Sequence, residues 1–425
     1  MRKKKCKNIA DKRLIMAALK KCFSSSKTKR RLDTLKLFQQ VINIPTQKAL
    51  IELINDSGNK YKKALWLLAE MFLQEIKTDT VNFPKHRYEI RRDGSNGKER
   101  RISILNIKQL AYDHIAVMAL EPVLKGIGQF QVSSIKGKGG GYAIKTIRRW
   151  MRDKRLNYFI KLDIKKYFPS IDQKLLVGFL IKRVDNPLLI RLIARLIISC
   201  DEGGIHIGSY LSQSLANYYL SYIYHKIDDL RYIRRDKSIK SVEHLLFYMD
   251  DFLLLGRNKH KLQEAAMYTV QLAKEEMGLT IKPNYCVHRI LDYKSKRKDK
   301  GHWIDMVGYR FSKQGVTLRK SIFRRAYRMF IRVKRSISTK KHVSFSQCCR
   351  LISYWGFLQH TNCFRFFVKN RGWYFIKMAK IWVRMVARVK AGKAPHKSKT
   401  EINEGKFFRS IIKFKSIFKK KGIET

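Results

Sequence analysis

The sequence predicts an α+β fold in which strand hairpins and helices share a core between two helical ends. From Leu32 to about Gln74, apolar residues recur at the spacing of amphipathic helices. Through the middle of the chain, short apolar runs typical of strands alternate with helical segments. After about Thr317 the pattern is helical and very basic. With 425 residues, 45% of them hydrophobic, the chain can bury a substantial core.

The individual elements follow in chain order. Residues 1–31 carry thirteen Lys or Arg and one Asp, so we expect a mobile basic arm or a frayed helix there. Strands are expected at Tyr88–Ile90 and Arg101–Ile104, which form a hairpin, at Tyr158–Leu162, and at Leu245–Tyr248 and Phe252–Leu255, which form a second hairpin. Helices are expected at Lys108–Lys125, from the glycines at 139–141 through Trp150, and at Lys174–Val184, Leu188–Ser199, Leu211–Ile227 and Lys261–Met277.

The charge balance is extreme, since 92 Lys and Arg stand against 33 Asp and Glu and leave a net charge of +59. Such a body repels itself unless a polyanion neutralises it, and nucleic acid is the commonest polyanion. Aromatic residues, at 12%, supply surfaces on which bases can stack. No apolar run approaches the ~20 residues of a membrane-spanning helix, so we expect no membrane partner. Seven cysteines without a CxxC pair favour a reduced, cytoplasmic location.

Paired carboxylates are the most informative feature. Asp250 and Asp251 lie between two apolar half-strands, where their mutual repulsion is tolerable if a divalent cation binds them. Asp163 closes another apolar strand, and three carboxylates converge if that strand lies beside the hairpin. Two hard cations, Mg²⁺ or alternatively Mn²⁺, could then bridge a phosphate and activate a 3′-hydroxyl. The competing interpretation is a solvated turn for the pair and a strand-end cap for Asp163.

The ordered set of segments resembles the palm of a reverse transcriptase, over roughly residues 85–370. The resemblance is to the prokaryotic kind, which includes group II intron, retron, diversity-generating and defence-associated enzymes. It implies a right-hand polymerase with fingers, palm, helical thumb and a helical N-terminal extension. The expected division is 1–80 for the basic arm and extension, 81–157 for the fingers, 158–315 for the palm, 316–390 for the thumb and 391–425 for a basic tail with a short amphipathic helix.

The resemblance also assigns roles in the catalytic centre. Asp163, Asp250 and Asp251 match the catalytic carboxylates, and together with Ile164 they match the positions that hold metal. Phe168 matches the steric gate, an aromatic ring that clashes with a 2′-hydroxyl, which implies dNTP substrates. As an aromatic residue it could equally be core.

Basic and glycine residues of the fingers and palm match positions that contact substrates. Lys98 and Arg100 match the segment that meets the incoming triphosphate, and a guanidinium suits bidentate phosphate contact. The resemblance places Lys136 and Lys138 beside the template backbone, and Gly208 and Gln213 at the nucleotide. It assigns Val307, Gly308 and Tyr309 to the primer grip. The nucleic-acid-binding residues that it assigns to the thumb are Arg319, Lys320, Arg324 and Arg325.

Two departures from the intron enzymes are visible. Ile207-Gly208 and Ser212-Gln213 stand where intron enzymes carry Gln-Gly and Ser-Pro, a form that resembles diversity-generating and several uncharacterised or defence-associated bacterial groups. Losing that glutamine removes a contact near the nucleotide, so low fidelity is a hypothesis. Tyr285 occupies the usual lysine position of a later motif, and the nearby Lys282 is the candidate to replace that general acid.

The implied function is an RNA-directed DNA polymerase that makes cDNA from an associated noncoding RNA. Its expected partners are template or noncoding RNA, an RNA–DNA heteroduplex and dNTPs, with a homo-oligomer or an accessory protein as further options. The sequence shows no His/Cys-rich nuclease, RNase H or integrase-like segment, which favours antiviral defence. A diversity-generating retroelement is the alternative, and a noncatalytic RNA-binding scaffold is the remote one.

Overall fold

The predicted α+β fold is present, with helices packed against short antiparallel sheets. The computed structural model describes residues 3–92, 97, 99–339, 343–369 and 372–390. The helices are α1 (Lys12–Cys22), α2 (Ser26–Lys29), α3 (Leu32–Gln39), α4 (Gln47–Asp56), α5 (Asn59–Lys77), α6 (Ile107–Ala119), α7 (Glu121–Leu124), α8 (Gly140–Trp150), α9 (Tyr167–Ser170), α10 (Gln173–Ile181), α11 (Pro187–Ile198), α12 (Tyr210–Asp228), α13 (Lys259–Glu275), α14 (Lys320–Ser338), α15 (Phe345–Leu358), α16 (Phe364–Lys369) and α17 (Gly372–Lys390).

In the part of the chain that the structure describes, the strands form four separate sheets. They are β1 (Arg87–Arg92), β2 (Glu99–Ile104), β3 (Tyr158–Asp163), β4 (Arg231–Arg234), β5 (Lys237–Lys240), β6 (His244–Tyr248), β7 (Asp251–Gly256), β8 (His288–Arg289), β9 (Ile304–Met306), β10 (Tyr309–Ser312) and β11 (Gly315–Leu318). By its contacts the chain divides into unit 1, Met1–Ala143 with Leu156–His288, and unit 2, Ile144–Arg155 with Arg289–Thr425. The five-part division drawn from the resemblance stays a prediction.

Unit 1 is built around the sheet β6-β7-β3-β8. Strand β7 is buried along most of its length because β6 and β3 pair with it on either side and α13 packs on it. Near the turn between β6 and β7, Phe247 and Phe252 stack with their ring centroids 3.8 Å apart. A strand buried in this way needs a nearly continuous apolar sequence, which is what Phe252–Leu255 supplies. The sheet is therefore a rigid support for the loops at its end.

The N-terminal segment is a packed helix, so the prediction of a mobile arm or frayed helix is wrong. Asp11 begins α1 by accepting a hydrogen bond from the Arg13 amide, and α1 packs against α5 and α6. Ile15 and Leu19 are fully buried on its inner face. Burial of each such side chain contributes about 1.5–3 kcal/mol, which stabilises the helix against the rest of unit 1.

The helix expected at Lys108–Lys125 is interrupted. Helix α6 ends at Ala119, and α7 begins again at Glu121 with Pro122 in its first turn. Proline has no amide hydrogen and cannot continue the hydrogen bonding of α6, so the chain restarts there. The other predicted elements are present with ends shifted by a few residues, the largest shift being the end of α10 at Ile181.

Unit 2 combines the three-stranded sheet β11-β10-β9 with the helices α14, α15, α16 and α17. Helix α15 begins with a capping box in which Ser344 and Gln347 bond each other's backbone amides. The amphipathic helix predicted in the tail lies outside the described residues. Within the described ranges no helix is both long enough and apolar enough to cross a bilayer.

Candidate active site

Three carboxylates meet at one end of the β6-β7-β3 sheet. Asp163, the last residue of β3, is directly opposite Asp251, the first residue of β7. Asp250 lies in the two-residue turn between β6 and β7, where Met249 has a φ of 55°. The apolar strands on each side are buried, and they fix the position of the turn at the end of the sheet. The structure thus brings together the three residues predicted to be catalytic.

The electrostatics of this end of the sheet favour a cation. Burial raises the pKa of Asp250 above its ordinary value, and the charges of Asp251 and Asp163 raise it further, while Arg100 opposes the shift. The three carboxylates therefore repel one another in the absence of a bound cation. Carboxylate oxygens are the ligands that Mg²⁺ prefers. The donor chemistry of the site fits the two divalent ions expected from the sequence.

Lys282 lies against this cluster. Its backbone amide donates to the carbonyl oxygen of Asp163 at 2.9 Å, and its Nζ lies 2.7 Å from Asp163 Oδ2. An isolated bridge between Ile164 and Ile281 holds the two segments together. Within the described ranges no three ligating side chains are close enough to bind an ion as they stand. Asp163 Oδ2 is paired with Lys282, and the roles of Asp163 and Ile164 as metal ligands stay predictions.

Strand β2 carries the predicted residue Arg100 and also contacts the Gly208 loop. Arg100 lies on β2, and its charge acts on Asp250. The Ser103 amide of β2 donates to the Ile207 carbonyl at 2.9 Å. Gly208 has a φ of 113°, and a Cβ there would lie 3.0 Å from Ser103 O, so only glycine fits without strain. Lys98 lies outside the described residues.

Phe168 and Gln213 flank the Gly208 loop. The carbonyl of Phe168, in α9, accepts a hydrogen bond from the Ile205 amide at 3.1 Å. The side chain of Phe168 is half-buried. Gln213 lies in the first turns of α12, and its carbonyl accepts a hydrogen bond from Asn217 Nδ2. Both predicted residues are therefore on elements that are tied to the loop.

The two lysines predicted to meet the template backbone differ in their surroundings. Lys136 is exposed. Lys138 turns its ammonium toward the protein, where it donates to the carbonyl of Gln129 at 2.7 Å and to those of Gly128 and Gln131 at longer range. Burial lowers the pKa of Lys138. In this conformation Lys138 stabilises the 128–131 turn.

The remaining predicted residues belong to unit 2. Val307 and Gly308, with φ of 52° and 83°, form the tight turn between β9 and β10, and Tyr309 begins β10. The Gly308 carbonyl accepts a hydrogen bond from the Arg319 amide at 3.0 Å. The guanidinium of Arg319 is held by Asp305, with Nε 2.9 Å from Oδ1. The other predicted thumb residues lie on α14, namely Lys320, Arg324 and Arg325.

Two buried polar residues hold the Gly208 loop, and sequence reasoning missed the first of them, Asp113. Asp113 is fully buried in α6 and accepts hydrogen bonds from Ser209 Oγ at 2.6 Å and from the Tyr210 amide at 3.1 Å. Burial raises the pKa of Asp113 to about 7. His206 contacts Ser103 Oγ through Nδ1 and Ser199 Oγ through Nε2. The one available signal for Asp113 was a carboxylate among the apolar residues Ala111, Ile115 and Ala116 of α6.

A basic groove between α2–α3 and the β1–β2 hairpin was also missed. Its volume is about 1020 Å³, and Gly208 is part of its lining. Two of its carboxylates, Asp33 and Glu89, are paired with Arg31 and Arg91. Four further cations make no ion pair within the described residues, namely Lys27, Lys36, Lys85 and Arg87. The groove therefore carries a positive charge beside the candidate active site.

Comparison with known proteins agrees with this geometry. The family model described as "Reverse transcriptase (RNA-dependent DNA polymerase)" matches residues 83–311, more than half of the chain. The chain therefore belongs to the reverse transcriptase family, and it is an RNA-directed DNA polymerase, a nucleotidyltransferase. The resemblance inferred from the sequence is confirmed at this level, and the prokaryotic subgroup stays a prediction.

Solved structures of apo telomerase from Candida tropicalis are similar to this chain at low identity. One has a TM-score of 0.42 and 13% identity, and the match covers 89% of this chain and 84% of the telomerase chain. A form truncated from the C-terminal domain has a TM-score of 0.40 and 14% identity, and the match covers 64% of this chain and 68% of the truncated telomerase chain. The comparison with curated protein sequences gave no match.

Proposed function

We propose that this reverse transcriptase is of the prokaryotic, defence-associated kind and makes cDNA in the cytoplasm from a noncoding RNA that it keeps bound. The observation that carries the polymerase chemistry is the convergence of Asp163, Asp250 and Asp251 with Arg100 nearby. The net charge of +59 supports a large RNA partner, because each phosphate contact releases counterions. The form of the Ile207–Gln213 segment supports the defence-associated assignment.

In this proposal the three carboxylates hold the divalent ions and Arg100 orients the triphosphate. Two bound ions supply the activation of the primer 3′-hydroxyl and the stabilisation of charge on the transferred phosphate. Lys282 Nζ, once released by Asp163, is placed to give a proton to the departing pyrophosphate. Gly208 lets the nucleotide approach the backbone, and Phe168 would exclude a 2′-hydroxyl from the sugar position.

The basic groove is proposed as the path of the single-stranded template. Its volume of about 1020 Å³ exceeds what one nucleotide fills, and its lining reaches Gly208 of the nucleotide loop. The unpaired cations Lys27, Lys36, Lys85 and Arg87 suit a phosphate backbone. Because phosphate contacts carry no sequence information, the groove would accept many templates.

The test is to sequence the RNA and DNA that copurify with the wild-type chain and with an Asp250→Ala/Asp251→Ala variant. We expect one discrete RNA in both samples and its complementary DNA in the wild type alone. Cells that carry the wild type should also survive phage challenge better than cells that carry the variant. Equal DNA in both samples would contradict templated synthesis, and equal survival with wild-type cDNA present would contradict the defence role alone.

The alternative, a diversity-generating retroelement, rests on the same Ile207–Gln213 segment. It predicts that the copurifying cDNA matches one of two neighbouring genomic repeats and carries frequent substitutions. A single-nucleotide misincorporation assay decides the related hypothesis of low fidelity, which intron-like accuracy would exclude. The noncatalytic scaffold is least supported, because the family is enzymatic and all three carboxylates are present.

A further inference from the structure

The β4–β5 hairpin is a separate, projecting ribbon. Its two strands pair with each other, from Arg231 opposite Lys240 to Arg234 opposite Lys237, and with no other strand of the described residues. The turn residues Arg235 and Asp236 both have positive φ, 50° and 59°, as a two-residue hairpin turn requires. Neither is a glycine, so the tight turn is held at a cost in backbone strain. A two-stranded ribbon of this kind is marginally stable by itself and gains order from a partner.

The cations at the base of the ribbon are used within the protein. Lys240 Nζ lies 2.8 Å from Asp228 Oδ1. The guanidinium of Arg231 donates to the Asp228 carbonyl at 2.6 Å. Lys261 of α13 lies 5.5 Å from the ring centre of Tyr232. These contacts fix the ribbon to the end of α12 and to α13.

The cations at the tip have no such partners. Arg234, Arg235 and Lys237 are exposed, and within the described residues no ion pair or side-chain hydrogen bond engages them. Asp236 is the one carboxylate of the ten-residue ribbon. Ile233, beside them, is 77% exposed, although an aliphatic side chain gains free energy when it is covered. The tip therefore offers three cations and an apolar surface to a partner.

We propose that the tip of the β4–β5 hairpin binds double-helical segments of an RNA. Arg234, Arg235 and Lys237 contact phosphates, and Ile233 packs against the sugars that line the wide minor groove of an A-form helix. The inference rests on the RNA-directed activity and not on the proposed role in defence. The hairpin's residues belong neither to the carboxylate cluster nor to the basic groove, so the contact is a second RNA site on the enzyme.

The test compares two full-length variants that each lose three charges. One is Arg234→Gln/Arg235→Gln/Lys237→Gln, and the matched control removes three exposed lysines of α5, Lys60→Gln/Lys62→Gln/Lys63→Gln. The probe is a 20-base-pair RNA stem closed by a loop at both ends, so it offers no 3′ end to the polymerase. Its Kd is measured by fluorescence anisotropy at several salt concentrations, and extension of oligo(dT) on poly(rA) reports intact folding and catalysis.

We expect the tip variant to bind the closed stem at least tenfold more weakly. The slope of log Kd plotted against log salt concentration should be smaller by about 3, because three phosphate contacts are lost. The α5 variant should change less than threefold, and both should extend oligo(dT) normally. Ile233→Thr should weaken stem binding without changing the slope. Equal losses in the two triple variants would show a general field effect and overturn the proposal. Unchanged stem binding by the tip variant would also overturn it and leave an acidic protein as the partner to seek.

Discussion

Phe168 is held in place by its neighbour in α9. The rings of Phe168 and Tyr167 meet edge to face with centroids 5.7 Å apart. Tyr167 is itself buried, and its hydroxyl donates to the Ala216 carbonyl of α12 at 2.6 Å. An aromatic ring fixed in this way cannot yield easily to a bulkier ligand, as a steric gate requires. The same anchoring also suits plain core packing, so a mutation must separate the two roles.

We predict that Phe168→Val lowers the preference for dNTPs over rNTPs by about 10- to 100-fold, because the smaller side chain leaves room for a 2′-hydroxyl. The measurement is the ratio of kcat/KM values for single incorporation of dGTP and GTP. Phe168→Tyr keeps the ring and should keep the preference. If Phe168→Val loses stability while its dNTP preference stays at the wild-type level, the residue is core and no gate.

Elements whose signals are local could be predicted from the sequence. The apolar runs on either side of Met249 and Asp250 specify strands β6 and β7 of the hairpin. The turn between these strands fixes the position of Asp250 and Asp251. Helix α1 could have been found from the apolar spacing of Leu14, Ile15 and Leu19, which the high lysine content masked. The β4–β5 hairpin gave no turn signal, because Arg-Asp occupies the positions where Asn-Gly is usual.

Parts of the site that depend on distant contacts could not be predicted. Asp113 and Ser209 are 96 residues apart, and His206 and Ser103 are 103 apart. A single sequence carries no record of which polar groups meet across such distances. The basic groove has the same origin, since its walls come from α2–α3 and from the β1–β2 hairpin. Charge composition predicted a nucleic-acid partner but not the place where it binds.

The junction between β2 and the Gly208 loop gives an element-scale prediction. Gly208→Ala places a Cβ 3.0 Å from Ser103 O and 3.1 Å from Ile102 Cγ2, at a φ of 113° that alanine rarely adopts. We expect a loss of about 1–3 kcal/mol in the free energy of unfolding and a raised KM for dNTPs. Urea denaturation and steady-state extension measure the two effects.

The matched control for Gly208→Ala is Gly178→Ala in the middle of α10. A Cβ at Gly178 meets nothing within 4 Å, and alanine favours a helix over glycine by about 0.5–1 kcal/mol. This variant should be as stable as the wild type or more so, with an unchanged KM. If the two alanine variants behave alike, the close approach of Gly208 to β2 has no functional consequence.

His206 joins three elements as a neutral ring. Ser199 Oγ donates to the Leu196 carbonyl, so it accepts from His206 Nε2, and His206 Nδ1 accepts from Ser103 Oγ. Burial lowers the pKa of His206 to about 4, with the charge of His86 as a smaller cause. The unfolded chain therefore binds more protons than the folded chain between about pH 4 and 6.5. Stability is lost as the pH falls through that window.

We predict that the free energy of unfolding of the wild type is about 2 kcal/mol lower at pH 5 than at pH 7.5, because His206 stays neutral in the folded chain. His206→Gln should be less stable at pH 7.5, because Gln fills the site imperfectly, but its stability should fall less on acidification. Urea unfolding at the two pH values measures the difference. His260→Gln, on the exposed surface of α13, serves as the control and should keep the wild-type dependence. Parallel pH curves for wild type and His206→Gln would contradict the argument.

At the scale of the whole chain, the net charge of +59 acts on folding and on RNA binding in opposite directions. Many of the carboxylates in the described residues already pair with Lys or Arg, so the excess cations repel one another across the surface. The Debye length falls from about 30 Å at 0.01 M salt to about 10 Å at 0.1 M. Added salt therefore screens this repulsion, and it also screens the attraction to RNA phosphates.

We predict that raising NaCl from about 50 to 200 mM weakens binding of a structured RNA by about 10³-fold or more, while the Tm of the free chain rises. Anisotropy and thermal melting measure the two quantities on one preparation. If affinity falls less than tenfold, few phosphates are contacted, and the basic groove and hairpin tip do not both bind RNA. If the Tm falls with salt, intramolecular ion pairs dominate over the excess charge, and the chain does not need a polyanion to relieve its repulsion.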